Sequence, residues 1–172
     1  CAQKNAGPSG VTVVIIREDL IGHAGKSVPT MFDYKVHVEN RSLYNTPPTY
    51  AIYMCKLVME WIKNDVGGLE AMKNLNERKA GKLYDFLDGS GMFRATVKGK
   101  DRSLMNIPFV TGNGELDKKF IKEAEAEGFL NLKGHRSVGG MRASIYNAMP
   151  KSGVEALVEF MRGFEQREKN NV

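Results

Sequence analysis

Three stretches of this chain place side chains where they could do chemistry. Ala2 to Gly10 (AQKNAGPSG) sets Lys4 in a polar, glycine-rich loop. In a site closed from water a lysine amine can lose its proton and attack an aldehyde to form a Schiff base, a reaction for which arginine is unsuited. The plainer alternative is a solvated loop charge. Arg41 to Thr49 (RSLYNTPPT) puts Asn45 and Thr46 ahead of two prolines that hold extended backbone. Their amide, hydroxyl and N–H groups could grip a phosphate beside the next helix, or simply cap that helix. Leu132 to Ser144 (LKGHRSVGGMRAS) gathers His135, Arg136 and Arg142 around a flexible turn. Arginine forks bind carboxylate and phosphate bidentately and the imidazole adds a donor, so the cluster suits a small dianion plus a carboxylate. A solvated basic turn is the alternative, but the glycines ahead of Arg142 permit close approach of a ligand to the backbone.

The elements that must position these residues follow from periodicity. Val11 to Ile16 (VTVVII) is a continuous β-branched run and reads as a strand buried on both faces, as in the central sheet of an α/β protein. Ile21 to Thr49 is rich in Gly, Pro, Asn and Ser and reads as loop, with a short helical turn near Phe32 to Val36. The spacing of Tyr50, Met54, Leu57, Val58 and Trp61 predicts a helix over Tyr50 to Lys63, ended by Gly67 and Gly68. Leu69 to Leu87 is a second, long amphipathic helix. Beyond it, Met92 to Val97, Ser103 to Phe109, Phe129 to Leu132 and Met141 to Tyr146 read as strands, and Leu116 to Glu127 as a helix. Pro150 opens a final helix with Val154, Leu157, Val158 and Met161 in one stripe, followed by a charged tail expected to fray. The domain reading is 1–66 as the end of an α/β domain and 67–172 as a small α+β unit with a mostly antiparallel sheet.

Composition narrows the class. With 172 residues, 42% hydrophobic and 26% charged, the chain is an ordinary globular one, long enough for one substantial core. No apolar run approaches the ~20 residues that cross a bilayer, so no membrane partner is expected. Cys1 and Cys55 form no CxxC pair and have no histidine cluster nearby, so no metal centre and no disulfide framework are expected, and a reducing cytoplasm fits. The net charge of +5 suggests anionic partners, but the basic residues are dispersed among 20 acidic ones.

Taken in order, AQKN with GP, LYNTPPT, the KDRS turn, MNIPF and GHRSVGGMRASIYNAMP resemble the signature of the phosphoserine aminotransferases, which are fold-type I, class V pyridoxal-phosphate enzymes. The resemblance covers essentially the whole chain and is to the carboxyl-terminal half of such enzymes. It implies the end of a fold-type I large domain followed by the complete small domain. It also implies that Lys4 binds pyridoxal 5'-phosphate covalently and that Gln3 touches the cofactor phosphate. Asn45 and Thr46 would reach across a homodimer interface to the phosphate of the other subunit's cofactor. Arg142 would pair with the substrate α-carboxylate, and His135 with Arg136 would bind the phosphate of O-phosphoserine or the γ-carboxylate of L-glutamate. The implied reaction of serine biosynthesis moves an amino group from glutamate to 3-phosphohydroxypyruvate, giving phosphoserine and 2-oxoglutarate. The family also acts on a phosphorylated threonine derivative in vitamin B6 synthesis in some bacteria.

In that family the glycine-rich phosphate turn, the ring stacked on the cofactor and the aspartate at its pyridine nitrogen all precede the lysine. Here almost nothing precedes Lys4, so an amino-terminal half is expected to complete the fold and the active site. Two other readings stand beside this one. The first is a basic phosphate- or nucleic-acid-binding module without catalysis, against which no aromatic residues interleave Lys133, His135, Arg136 and Arg142 as a stacking platform requires. The second is an inactive proteolytic piece of the transaminase.

Overall fold

The computed structural model describes residues 2–170, so Cys1 and the last two residues of the charged tail lie outside it. The chain divides into two compact units, Cys1–Asp65 and Val66–Val172.

The first unit is loop and helix. Lys4–Ala6 is a single 3-10 turn, and the Ala2 N–H donates to the Val11 carbonyl at 2.5 Å, closing the loop between them. Val11 to Ile16 belongs to no helix or sheet, with Val13 67% and Ile15 97% exposed. This corrects the buried strand expected there. A ladder needs a second backbone to pair with, and among the described residues no strand lies beside this one. The predicted turn near Phe32 is a 3-10 turn at Thr30–Phe32 followed by helix α1, Tyr34–Glu39, whose start is capped by the Asp33 carboxylate accepting from the Lys35 N–H at 2.9 Å. Helix α2, Thr49–Trp61, runs on into a π-helical turn, Ile62–Val66. The α2 stripe is only partly covered: Ala51 is buried, Met54, Val58 and Trp61 are half-buried, and Tyr50 and Leu57 are exposed.

The second unit has its own core. Helix α3, Leu69–Gly89, leads into a three-stranded antiparallel sheet of order β1-β2-β3, with β1 at Arg94–Ala95, β2 at Asn106–Val110 and β3 at Met141–Ser144. Helix α4, Gly114–Ala126, joins β2 to β3, and α5, Lys151–Lys169, closes the unit. Asn113 caps α4, its side-chain oxygen accepting from the Glu115 and Leu116 N–H groups. Phe129 to Leu132 is not the predicted strand, because the pairing there shrinks to one bridge between Lys133 and Met141. Along β2 and β3 the residues alternate, with Ile107, Phe109, Met141 and Ala143 all 2% exposed or less, facing the helices. Against them pack Leu83 and Leu87 of α3, Phe120 of α4, and Val154, Val158, Met161 and Phe164 of α5. Phe120 meets Phe93 and Phe164 edge-on at 5.0 and 5.2 Å between ring centres, a favourable aromatic geometry.

The tail does not fray where expected. It stays helical to Lys169, because Arg167 and Glu168 pair with Glu123 and Lys119 of α4. Glu165, 7% exposed, accepts from the Ser90 hydroxyl at 2.6 Å, the Gly91 N–H at 3.0 Å and the Lys169 ammonium at 2.7 Å. Burial alone would raise its pKa, but these three donors outweigh burial and hold the carboxyl below its ordinary value.

Candidate functional site

In the first unit Lys4 opens the 3-10 turn at φ 60, a left-handed conformation that non-glycine residues seldom adopt. Such strain persists where the surroundings dictate it and is common at functional positions. The turn lies against α2, where Gly7, at φ 122, passes close to the Cys55 backbone. Gln3 precedes the turn in extended backbone. Both Gln3 and Lys4 are exposed, so within this chain the Lys4 amine lacks the desolvation that Schiff-base chemistry needs.

Asn45 and Thr46 lie in the exposed segment just before α2, and the Asn45 side-chain N–H donates to the Thr46 carbonyl at 3.3 Å. Neither residue caps the helix. Pro48 occupies the capping position without a side-chain bond, and the Thr49 N–H is satisfied by the Pro47 carbonyl at 2.8 Å. Of the two local readings of this stretch, capping is therefore removed.

The basic turn lies wholly in the second unit. The Gly134 N–H donates to the Gly140 carbonyl at 2.9 Å, and the Val138 and Gly139 N–H groups both donate to the His135 carbonyl. Side chains cannot be added at its neck: a Cβ on Gly134 would collide with the Gly139 carbonyl, and one on Gly140, itself at φ 61, would stand 2.5 Å from a Val110 methyl. The His135 Nδ1 accepts from the Ser137 N–H at 3.3 Å and lies 2.6 Å from its hydroxyl. With Nδ1 accepting, the neutral ring carries its proton on Nε2, which leaves an N–H donor on its outer edge. Arg136 is exposed beside it. Arg142 is half-buried in β3, and its Nε is buried without a protein acceptor. A guanidinium held that way suits an anionic ligand.

Sequence reading passed over the polar residues around Arg142. Arg142 and Ser144 occupy the face of the sheet opposite the core, together with Asn106 and Pro108 of β2. The Ser144 and Tyr146 hydroxyls both donate to the Asn106 side-chain oxygen, at 3.0 and 3.2 Å. The segment after β3 is held from α3: the buried Lys79 ammonium donates to the carbonyls of Tyr146 at 2.8 Å, Met149 at 3.0 Å and Asn147 at 3.3 Å, with the Ile145 carbonyl at 3.5 Å. The Asn76 side-chain N–H donates to the Asn147 side-chain oxygen at 2.8 Å. Burial lowers the Lys79 pKa. The only sequence signal for Lys79 was a lysine on the apolar side of an amphipathic helix.

Comparison with known proteins places this geometry in context. The sequence pattern of the family described as aminotransferase class-V matches residues 1–157. The phosphoserine aminotransferase of Listeria monocytogenes serovar 1/2a is 59% identical over 168 residues, covering 98% of this chain and 46% of that protein. Phosphoserine aminotransferase 2, chloroplastic, of Arabidopsis thaliana is 59% identical over 167 residues, covering 96% of this chain and 39% of its own length. Among solved structures, the phosphoserine aminotransferase from Bacillus circulans subsp. alkalophilus superimposes with a TM-score of 0.92 at 53% identity, over 96% of this chain and 46% of that one. The PLP-bound phosphoserine aminotransferase from Trichomonas vaginalis gives 0.76 at 42% identity, over 80% and 39%. The chain thus spans less than half the length of these relatives, corresponding to their carboxyl-terminal half, and its α/β architecture is that of fold-type I enzymes.

Proposed function

Since this chain belongs to the class-V aminotransferase family, we propose that it is the carboxyl-terminal part of a phosphoserine transaminase that moves an amino group between L-glutamate and 3-phosphohydroxypyruvate. The products are O-phosphoserine and 2-oxoglutarate. The observation that carries the reading is Lys4, held left-handed at φ 60 on a turn packed against α2, at the head of the region matched to the family.

The residues present fit pyridoxal 5'-phosphate by donor type: an amine at Lys4, an amide at Gln3, and amide and hydroxyl groups at Asn45 and Thr46. Bound there, the cofactor would supply the electron sink that lets an amino group leave one carbon skeleton for another. Lys4 would hold it and carry the proton at the substrate Cα. Gln3 would face its phosphate, while Asn45 and Thr46 would serve the second subunit of a homodimer. Arg142 would fix the substrate α-carboxylate through a planar fork. His135 Nε2–H and Arg136 would take the far end, where the phosphate of phosphoserine and the γ-carboxylate of glutamate carry the same sign of charge.

Two features of the first unit support an amino-terminal half completing this cytoplasmic enzyme. Lys4 is exposed, and the largely apolar segment Val11 to Ile16 belongs to no sheet. A reactive amine needs a dry wall and a bare strand needs a neighbour. The test combines this chain with the amino-terminal half of a phosphoserine aminotransferase, adds pyridoxal phosphate, reduces with borohydride and maps the labelled peptide. Label on Lys4, abolished by Lys4→Ala together with the visible absorbance, is expected. Label on another lysine, or full absorbance in Lys4→Ala, refutes the assignment.

A further inference from the structure

We propose that Asn106 is a second, uncharged donor to the carboxylate that Arg142 takes, an inference that rests on the reading of Arg142 given above. In the antiparallel register Asn106 stands opposite Ser144, and Pro108 opposite Arg142. Because Ile107, Phe109, Met141 and Ala143 turn into the core, Asn106 and Arg142 share the other face as diagonal neighbours. At that spacing, about 7–8 Å between backbones, long side chains reach one another.

Asn106 is fixed from several sides. Its backbone N–H donates to the Ser103 hydroxyl oxygen at 3.1 Å. The Ser103 carbonyl is itself held by the Tyr84 hydroxyl at 3.0 Å. The Asn106 side-chain oxygen accepts from both Ser144 and Tyr146, and the Tyr146 carbonyl is held in turn by Lys79. With both lone pairs of that oxygen engaged, the remaining hydrogen-bonding capacity of the side chain is the two hydrogens on Nδ2.

Beside it lies a guanidinium whose Nε is buried without a protein acceptor. The two groups together offer donors and no acceptor, which matches an anion with two coplanar oxygens and rejects a primary amide that must also donate. One carboxylate oxygen would sit on the Arg142 fork and the other on Asn106 Nδ2. The two hydroxyls have already oriented the amide, so little ordering entropy remains to be lost on binding. Asn106 would thereby help select carboxylate over carboxamide at that position of the substrate.

The experiment is a titration of the ¹⁵N-labelled chain with L-glutamate, and in parallel with isoglutamine, whose α-carboxylate is replaced by an amide. The Asn106 side-chain amide resonances should shift saturably with glutamate and stay still with isoglutamine. Asn106→Ala should weaken glutamate about tenfold, the worth of one hydrogen bond to a charged group. Asn106→Asp keeps the shape and the oxygen that accepts from both hydroxyls but exchanges the donor for a negative charge, and should weaken glutamate about a hundredfold. Glutamate affinity that falls in Arg142→Ala but is unchanged in Asn106→Asp, with still amide resonances in the unaltered chain, overturns the proposal and leaves the Arg142 reading intact. Affinity unchanged in Arg142→Ala overturns both.

Discussion

Replacing Lys79 by methionine removes the tie between α3 and the segment after β3 while nearly conserving side-chain volume. The ammonium has three hydrogens and four carbonyl oxygens within 3.5 Å, three of them within 3.3 Å. Each of three such bonds contributes about 1–1.5 kcal/mol net, or roughly 4 kcal/mol together. Removing a buried ammonium returns part of its desolvation cost, about 1–2 kcal/mol. The expected loss is therefore roughly 2–3 kcal/mol, because carbonyls in part-buried surroundings lose their donor. For a unit of this size, with a urea slope of about 1–1.5 kcal/mol/M, the midpoint should fall by about 2 M. Helical circular dichroism is the signal to follow, since α3, α4 and α5 all belong to the second unit. A midpoint shift under ~0.3 M at unchanged slope would mean that the carbonyl clamp contributes nothing and that the segment holds its shape without it.

Two further outcomes are expected. Glu165 has a folded pKa below its ordinary 4.5, so its contribution to stability is present above that pH and is lost as the pH falls through the folded value. Glu165→Gln should flatten the acid limb of a plot of thermal midpoint against pH between about pH 5 and 3, and an acid limb identical to that of the unaltered chain would refute the role of its three donors. Gly134→Ala drives a methyl group into the Gly139 carbonyl and should open the neck of the basic turn. In a titration with inorganic phosphate followed by NMR, the shifts at His135 and Arg136 should weaken by about tenfold or more while the core resonances stay in place; unchanged affinity would show that the neck does not set the turn's shape.

Much of the second unit was legible because its periodicity had a core to answer to. The stripe Val154, Leu157, Val158 and Met161 is buried as its spacing demands, since α5 lies on a sheet and a helix contained in the same stretch of chain. Pro150 stands at the start of α5, where its missing N–H costs nothing. Val11 to Ile16 shows the opposite case: β-branched composition states a preference for a ladder but cannot supply the second backbone. The tail was misread because its partners, Lys119 and Glu123, stand about 45 residues earlier on α4 and only the fold brings them near. Of the candidate site, the charged residues stood out by type. Asn106, Ser144, Tyr146 and Lys79 were hidden because their importance lies in register and burial, which neither composition nor local spacing reveals.

The clamp on the segment after β3 has an evolutionary consequence. An ammonium that grasps carbonyl oxygens is blind to what each residue carries beyond its backbone. Positions 145 to 149 are therefore free, as far as this anchor is concerned, to drift in residue identity while the path of the chain stays constant. Selection acting there would be felt through other duties, such as the hydroxyl of Tyr146 or the amide of Asn147. Lys79 itself is irreplaceable in kind, because no other side chain delivers three radiating donors from one atom at the end of so long a stem.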